Sequence, residues 1–397
     1  MIGVLGNYNL NLKFGETEVP LDISLLRDFT IVQDMTQFLP TFRLKIEDAG
    51  GHVTHRIPFD KNLSKISVQI SSSVAADFYN SFNFRGYKRQ PVAEFGTSVV
   101  YDISGVLDKD YLFDPPYCRA SEEGQTIKEF LEKMAIEELK CDETDVSPSL
   151  NYVKSIIQPW WSNIKLLRYL KSNLAGLQDN YAFQIFIKQR NGKSIFVCRS
   201  LKELISGPEI ARFAISDIQF EDFYPVFDYK IYDDFMMLSA FGGETLDYKY
   251  FNDVTGEVVE EEATLDYFYS LTDYFGIDAE DKFSRSLLTW PGRSNQFTED
   301  FKGRAYAKYY ERIFGLVKMS ILTWGIINMC PGDVIFLIFP QSALEGGSSY
   351  VYAGYWVVRQ VKHMFGKTHR TKLFLTRNGM DTGEMTSLVK APNKRTM

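Results

Sequence analysis

The sequence predicts a β-rich α+β protein in which two antiparallel β units are interrupted by inserted α/β segments. Three observations carry that prediction. Runs near both ends of the chain alternate between apolar and polar residues, the period of a strand with one covered face. Helical spacing of apolar residues is confined to a middle stretch and to one short stretch before the last strands. Aromatic residues make up 15% of the chain, with 31 Phe and 23 Tyr. Such residues pack strands and anchor interfaces, which favours a β-rich, oligomer-forming protein; a large aromatic core accounts for them equally well.

Residues 1–112 form the first β unit. Thr41 to Glu47 and Lys65 to Ser71 alternate strictly, with turn chemistry at Asp48-Ala49-Gly50-Gly51-His52 after the first. Ser81 to Phe84 and Val99 to Ile103 continue the pattern. Strands at this spacing, with no long helix between them, read as a barrel or sandwich.

The character changes at Asp114-Pro115-Pro116, and residues 113–217 read as an inserted α/β domain. Thr126, with Glu129 three residues on, is a capping box that opens a helix. Ile127, Phe130, Leu131, Met134, Ala135 and Leu139 then share its buried face. Pro159-Trp160-Trp161-Ser162 leads into a second helix with Ile164, Leu167, Leu170 and Leu174 in step. Tyr181 to Ile187 and Ser194 to Cys198, joined across Asn191-Gly192, read as a hairpin.

Residues 218–245 and 298–380 make the second β unit, split by a small acidic insertion at 246–297. That insertion carries Glu260-Glu261-Glu262, Asp278, Glu280 and Asp281, and is broken by Gly256, Gly276 and Pro291-Gly292. Thr298 is expected to cap a helix bearing Phe301, Ala305, Tyr309 and Ile313, followed by a strand over 315–323. A three-stranded meander then runs from Met329 to Gly379. Pro331-Gly332 supplies a type II turn before Asp333 and the apolar run Val334 to Phe339. A Gly-rich turn at 345–349 separates that run from Tyr350 to His363, and Thr371 to Thr376 closes on Asn378-Gly379. Residues 381–397 read as a flexible, basic tail. Two β units of similar size point to a duplicated plan, with no residue-level repeat to accompany it.

The chemistry available is thin. A net charge of −7 gives no global basic footprint for gripping nucleic acid. Four cysteines (Cys118, Cys141, Cys198, Cys330) include no C-x-x-C pair, so buried reduced thiols are expected. The N-terminal residues lack the basic and apolar regions of a signal peptide, and no apolar run approaches the roughly 20 residues of a membrane span. Assembly in a cytoplasm, with no membrane insertion of its own, is the expectation. His52 and His55 flank a turn; His363 and His369 could join Cys330 in a three-ligand metal site, but the spacing does not demand it, and solvated loop histidines are the plainer reading. No G-x-S-x-G, Walker loop or H-E-x-x-H occurs. The acid pairs Asp233-Asp234 and Glu221-Asp222 would point to opposite faces of a strand, which suits a solvated face better than a catalytic dyad. Trp160-Trp161 could stack a sugar or staple the start of the following helix, and the staple is favoured. Gly346-Gly347 reads as a hairpin tip and not as a phosphate loop. No catalytic, cofactor-binding or metal residue is expected, and no cofactor.

In succession these features resemble the baseplate hub proteins of contractile-tailed phages and the N-terminal hub part of type VI secretion spike proteins. The resemblance rests on the helix Phe301 to Phe314 leading to a strand, and on the Pro331-Gly332-Asp333 turn and its apolar strand. Tyr355-Trp356-Val357-Val358 leading to Val361-Lys362-His363, and then Thr371 to Thr376, complete that block. Pro159-Trp160 with its helix and the Phe183/Phe196 hairpin resembles the hub's inserted domain, and the alternating strands of 21–110 its first barrel. Each motif alone is common; the order carries the resemblance, which covers most of the chain except 246–297.

The resemblance implies two barrels like the tail-tube protein in each chain, so that a homotrimer presents six in a ring. Such a ring adapts a hexameric tail tube on one side to a trimeric spike on the other, and contacts other baseplate (wedge) proteins. DNA would meet it only in transit through the channel, which suits a negative lining. Cell-wall hydrolysis in this family sits on a separate spike or an extension. No spike repeat or hydrolase domain precedes Met397, so the spike is expected to be another chain. The expected place is the baseplate of a virion tail. A tail-tip adhesin that stacks aromatics on glycans and a cell-wall glycosidase are the competing readings.

Overall fold

A computed structural model of the chain describes residues 8–14, 19–20, 23–50, 65–72, 79–96, 98–109, 117–178, 180–215, 222–233, 246–252, 256–263, 286–290, 307, 314, 317–339 and 352–377. The first unit comprises β1 (Tyr8–Phe14), β2 (Val19–Pro20), β3 (Leu26–Asp34), β4 (Thr41–Ala49), β5 (Lys65–Ser72), β6 (Tyr79–Phe95) and β7 (Ser98–Leu107). They hydrogen-bond in the order β3-β4-β7-β6-β5-β1-β2, all antiparallel. Alternation decides their faces. Leu10, Leu12 and Phe14, Ile66, Val68 and Ile70, and Phe42, Leu44 and Ile46 are all buried, while the residues between them are not. Gly105 in β7 permits a close approach, since a Cβ there would lie 2.1 Å from the Arg85 carbonyl oxygen.

The middle of the chain builds β8 (Tyr117–Ala120), α1 (Ile127–Lys133), β9 (Glu143–Val146), β10 (Ile157–Trp161), α2 (Asn163–Asn173), β11 (Phe183–Arg190), β12 (Lys193–Ser200) and α3 (Leu201–Ile205). The capping box at Thr126 forms as the sequence requires, with both Thr126 and Glu129 side chains accepting backbone N–H groups. The helix does not run on to Leu139 as one α-helix. A wider turn over Met134–Glu138 replaces the last part, and the Leu139 N–H donates to the Met134 carbonyl. Ser162 caps α2, and Ser200 with Glu203 forms a second capping box on α3. β11, β12 and β9 form a small sheet of their own, and β8 pairs with β10.

β13 (Glu209–Ala214) and β14 (Tyr224–Asp233) follow. β15 (Leu246–Asn252), β16 (Glu257–Ala263) and β17 (Ser286–Trp290) form a separate sheet in the order β16-β15-β17. β18 (Val317–Trp324), β19 (Val334–Ile338), β20 (Gly354–Phe365) and β21 (His369–Arg377) end the described chain. Of the helix expected after Thr298, only Ala307 and Phe314 are described, both helical; the remainder, the turn at 345–349 and Asn378-Gly379 lie outside the described residues.

The second unit closes. Strands β19, β13, β14, β18, β21 and β20 are neighbours in that order, and β19 pairs with β20 to complete a six-stranded barrel. β13, within the stretch that the sequence assigns to the insertion, runs parallel to both β14 and β19 and supplies the closing strand. The meander of β19, β20 and β21 is antiparallel throughout, as its turn chemistry predicts. All five residues of β19 are buried, because the barrel interior covers one face and neighbouring elements the other. Finally β20 pairs with β3, so the barrel continues into the first unit as one thirteen-stranded sheet. The architecture is therefore β-rich, with a closed six-stranded barrel and further strands.

Candidate assembly site

The hairpin of β11 and β12 projects its tip to where the two β units meet. Asn191 and Gly192, with φ of 52° and 78°, form the turn that right-twisted strands prefer. From the first unit, Gln33 and Asn80 hold that tip. The Gln189 N–H donates to Gln33 Oε1 (2.8 Å), and the Gln189 carbonyl accepts from Asn80 Nδ2 (3.0 Å). The Gly192 N–H donates to Asn80 Oδ1 at 3.0 Å. From the second unit, Asp333 takes Arg190 Nη2 on both carboxylate oxygens at 2.5 Å and also accepts the Cys330 N–H at 2.9 Å. The Cys330 thiol donates to the Gln189 carbonyl at 3.4 Å.

This changes the meaning of Pro331-Gly332-Asp333. Gly332 does adopt φ of 85°, as a type II turn needs, and its N–H donates to the Val358 carbonyl. Asp333, however, is an anchor for another element and not only a turn residue. The Asp333 side chain is 4% exposed and that of Arg190 25%, so the pair is largely desolvated and its geometry matters. Sequence reasoning passed over Arg190, Gln33 and Asn80. A signal was present: Gln33 follows Phe29 and Ile31 in the buried phase of β3, and Asn80 precedes Phe82 and Phe84 in that of β6. A polar residue in a core phase must find a buried partner.

The other singled-out residues disperse. His363 and His369 do meet, with His363 Nδ1 3.2 Å from His369 Nε2, and both are about 1% exposed, which corrects the reading of solvated loop histidines. Burial lowers His363 to about 4 and His369 well below its usual value. Cys330 is engaged at Gln189 and Asn328, and among the described residues no group of three or more His, Cys, Asp or Glu could hold a metal ion. His52, His55, Glu221 and Asp234 lie outside the described residues. Trp161 packs on Tyr169 (5.2 Å between ring centroids) and under Lys165, so it does fasten the start of α2. Trp160 turns outward, 72% exposed with φ of 51°, at a bulge in β10. The thiol expectation holds for Cys141, Cys198 and Cys330 and fails for Cys118, which is exposed. Burial pushes the Cys141 and Cys330 thiols up to about 11 and raises Cys198 as well, so these three are unreactive. A cleft of about 320 Å³ lies among Met35, Lys171, Gln184, Leu201, Phe314 and Arg359, where all three units approach.

No family model and no curated relative matches the sequence. Solved structures match its fold. The tail protein from Neisseria meningitidis aligns with a TM-score of 0.60 at 12% identity, over 94% of this chain and 98% of that one. A 43 kDa prophage tail protein from Shewanella oneidensis gives 0.59 at 10% identity, over 93% and 98%. An Escherichia coli component of the type VI secretion system, itself structurally similar to bacteriophage tail proteins, gives 0.52 at 7% identity, over 94% and 79%. The fold is thus one found in phage tail proteins and in type VI secretion.

Proposed function

We propose that the chain is a structural, non-enzymatic baseplate hub, and that three copies form a ring of pseudo-sixfold symmetry. In this reading residues 1–112 are one tube-like barrel, and 218–245 with 298–380, together with β13 from the end of the inserted stretch, are the other. The domain at 113–217 and the insertion at 246–297 decorate them, and 381–397 is a tail. The ring adapts a hexameric tail tube to a trimeric spike, touches the wedge proteins of the baseplate and leaves a channel for DNA or effector passage. Its place is a virion tail assembled in the host cytoplasm.

The observation that carries this reading is the β20–β3 pairing, which makes one sheet of a closed barrel and a second β unit. Two such units, locked by the Gln189–Gly192 tip, would move as one body and contribute two positions to a ring. Electron microscopy of the purified chain tests it: rings with a central channel and six peripheral densities are expected, and isolated particles without a channel contradict it. A glycan-binding tail-tip module would instead be retained on immobilised host glycans, and a glycosidase would clear peptidoglycan in a gel.

A further inference from the structure

The cleft where the three units approach joins apolar wall to positive charge. Met35, Leu201 and Phe314 are buried and apolar, Arg359 and Lys171 are cations, and no described residue lining the cleft is acidic. Arg359 is the extra residue of a β-bulge in β20. Val358 stands opposite Leu375 and Gln360 opposite Phe374, which leaves Arg359 with no residue across from it. A bulge re-aims the side chain that it carries. The Arg359 carbonyl accepts the Met35 N–H at 3.0 Å just past the end of β3, so the bulge is fixed against the first unit. Its guanidinium is half-buried and meets no carboxylate among the described residues. Asp34, opposite Gln360, already accepts from Thr36 and from Gln360. Gln184 is buried too, and its Nε2 makes a long bond of 3.4 Å to the Ala182 carbonyl, which leaves it donor capacity to spare.

An arginine without an acid, set in the wall of an apolar cleft, suits an anion that carries an apolar body. The planar fork of Arg matches a carboxylate with two parallel hydrogen bonds. A volume of about 320 Å³ is near the lower end for a ligand site, so it holds one or two terminal residues and not a folded element. α2 leads up to the cleft with positive charge: Lys165, Arg168 and Lys171 follow at three-residue spacing in a helix that contains no acid. The C-terminal residue of a peptide meets both requirements, since its carboxylate and its side chain leave the same carbon. A nucleotide would instead set a hydrated sugar against Met35 and Leu201, burying hydroxyls without partners.

We propose that this cleft captures the C-terminus of a partner protein, with Arg359 taking the carboxylate and Met35, Leu201 and Phe314 the last, apolar side chain. The occupant would touch the first unit, the inserted domain and the barrel at once. The proposal stands on the cleft alone and does not require the chain to form a ring. The probe is a library of N-acetylated tetrapeptides varied at every position, offered to the full chain as free acids and as C-terminal amides, with retained peptides read by mass spectrometry. On the wild type, free acids ending in leucine, methionine or phenylalanine are expected to be enriched at least tenfold over their amides. Arg359→Gln should abolish that preference, and Lys171→Gln should reduce it. The comparison of acid with amide on the wild type decides the matter even if a variant misfolds. Equal retention of acids and amides, or enrichment of neither, overturns the proposal. Displacement of the peptides by equimolar N-acetylleucine or inorganic phosphate would also overturn it, reassigning the cleft to a small free anion. Rings seen by microscopy survive each of these outcomes, so failure here and failure of the hub reading are told apart.

Discussion

The two β units present the same alternating strands to the outside but treat their surface charge differently. On the first, Arg43 donates from Nε to both oxygens of Asp102 at 3.0 and 2.9 Å, one strand away, and Arg27 meets Glu47. The Arg43 hydrogen bonds hold the Asp102 carboxyl below its usual range. On the second, Lys362 faces Lys372, and aromatic rings take the place of carboxylates. Exposed ion pairs contribute little to stability, about 0–1 kcal/mol each, so the contrast is not one of folding strength. It separates a face whose charges pair with each other from one whose lysines stand opposite each other and against aromatic rings.

The contrast presumes that the two units form one body, and the hairpin tip is where that can be broken. Asp333→Ala strands the Arg190 guanidinium and removes the acceptor of the Cys330 N–H. Breaking a buried pair from one side costs about 3–5 kcal/mol, and urea unfolding should show that loss. A single transition that splits into two would show that the tip couples the units; unchanged stability would remove the tip from the account.

The histidine pair sharpens the same point from the other side of the junction. His369 stacks on Phe365 at 4.5 Å, Phe365 stacks on Phe29 of β3, and Tyr8 of β1 donates to the Gly366 carbonyl. The groups facing the pair are Tyr8 and Thr371, with no carboxylate among them to stabilise an imidazolium. Both folded-state values are depressed, so the neutral forms are required. The stability they support is full above about pH 6.5, the ordinary histidine value, and falls as pH drops toward 4. Melting temperature should decline across that window, and His363→Gln with His369→Gln should flatten the decline. A flat wild-type profile from pH 7 to 4 would contradict the burial argument.

Trp160 is the smallest expected effect. Its side chain makes the exposed corner of β10 at φ of 51°, a conformation costly for a bulky residue. Trp160→Gly should leave stability unchanged or raise it by up to about 1 kcal/mol, read by the same urea titration. A loss above that would mean that Trp160 packs where it looks exposed.

Local chemistry was the most legible part of the fold. The capping box at Thr126, the Asn191-Gly192 hairpin and the Pro331-Gly332 turn each need only a few neighbouring residues, and each forms. Closure of the barrel was not legible in that way. It depends on β13 pairing in parallel with β19, which lies more than a hundred residues further on, and periodicity carries no information about distant partners. The site was hidden for the same reason. Gln33, Asn80, Arg190 and Asp333 become one network only when three separate segments meet, and only the misplaced polarity of Gln33 and Asn80 marked it beforehand.

The central claim is that the chain works as a multiple of itself. Native mass spectrometry of the purified protein measures this directly. The account predicts a trimer of the 45.7 kDa chain. A species of one chain mass at micromolar concentration, unchanged by a trimeric spike, would contradict it.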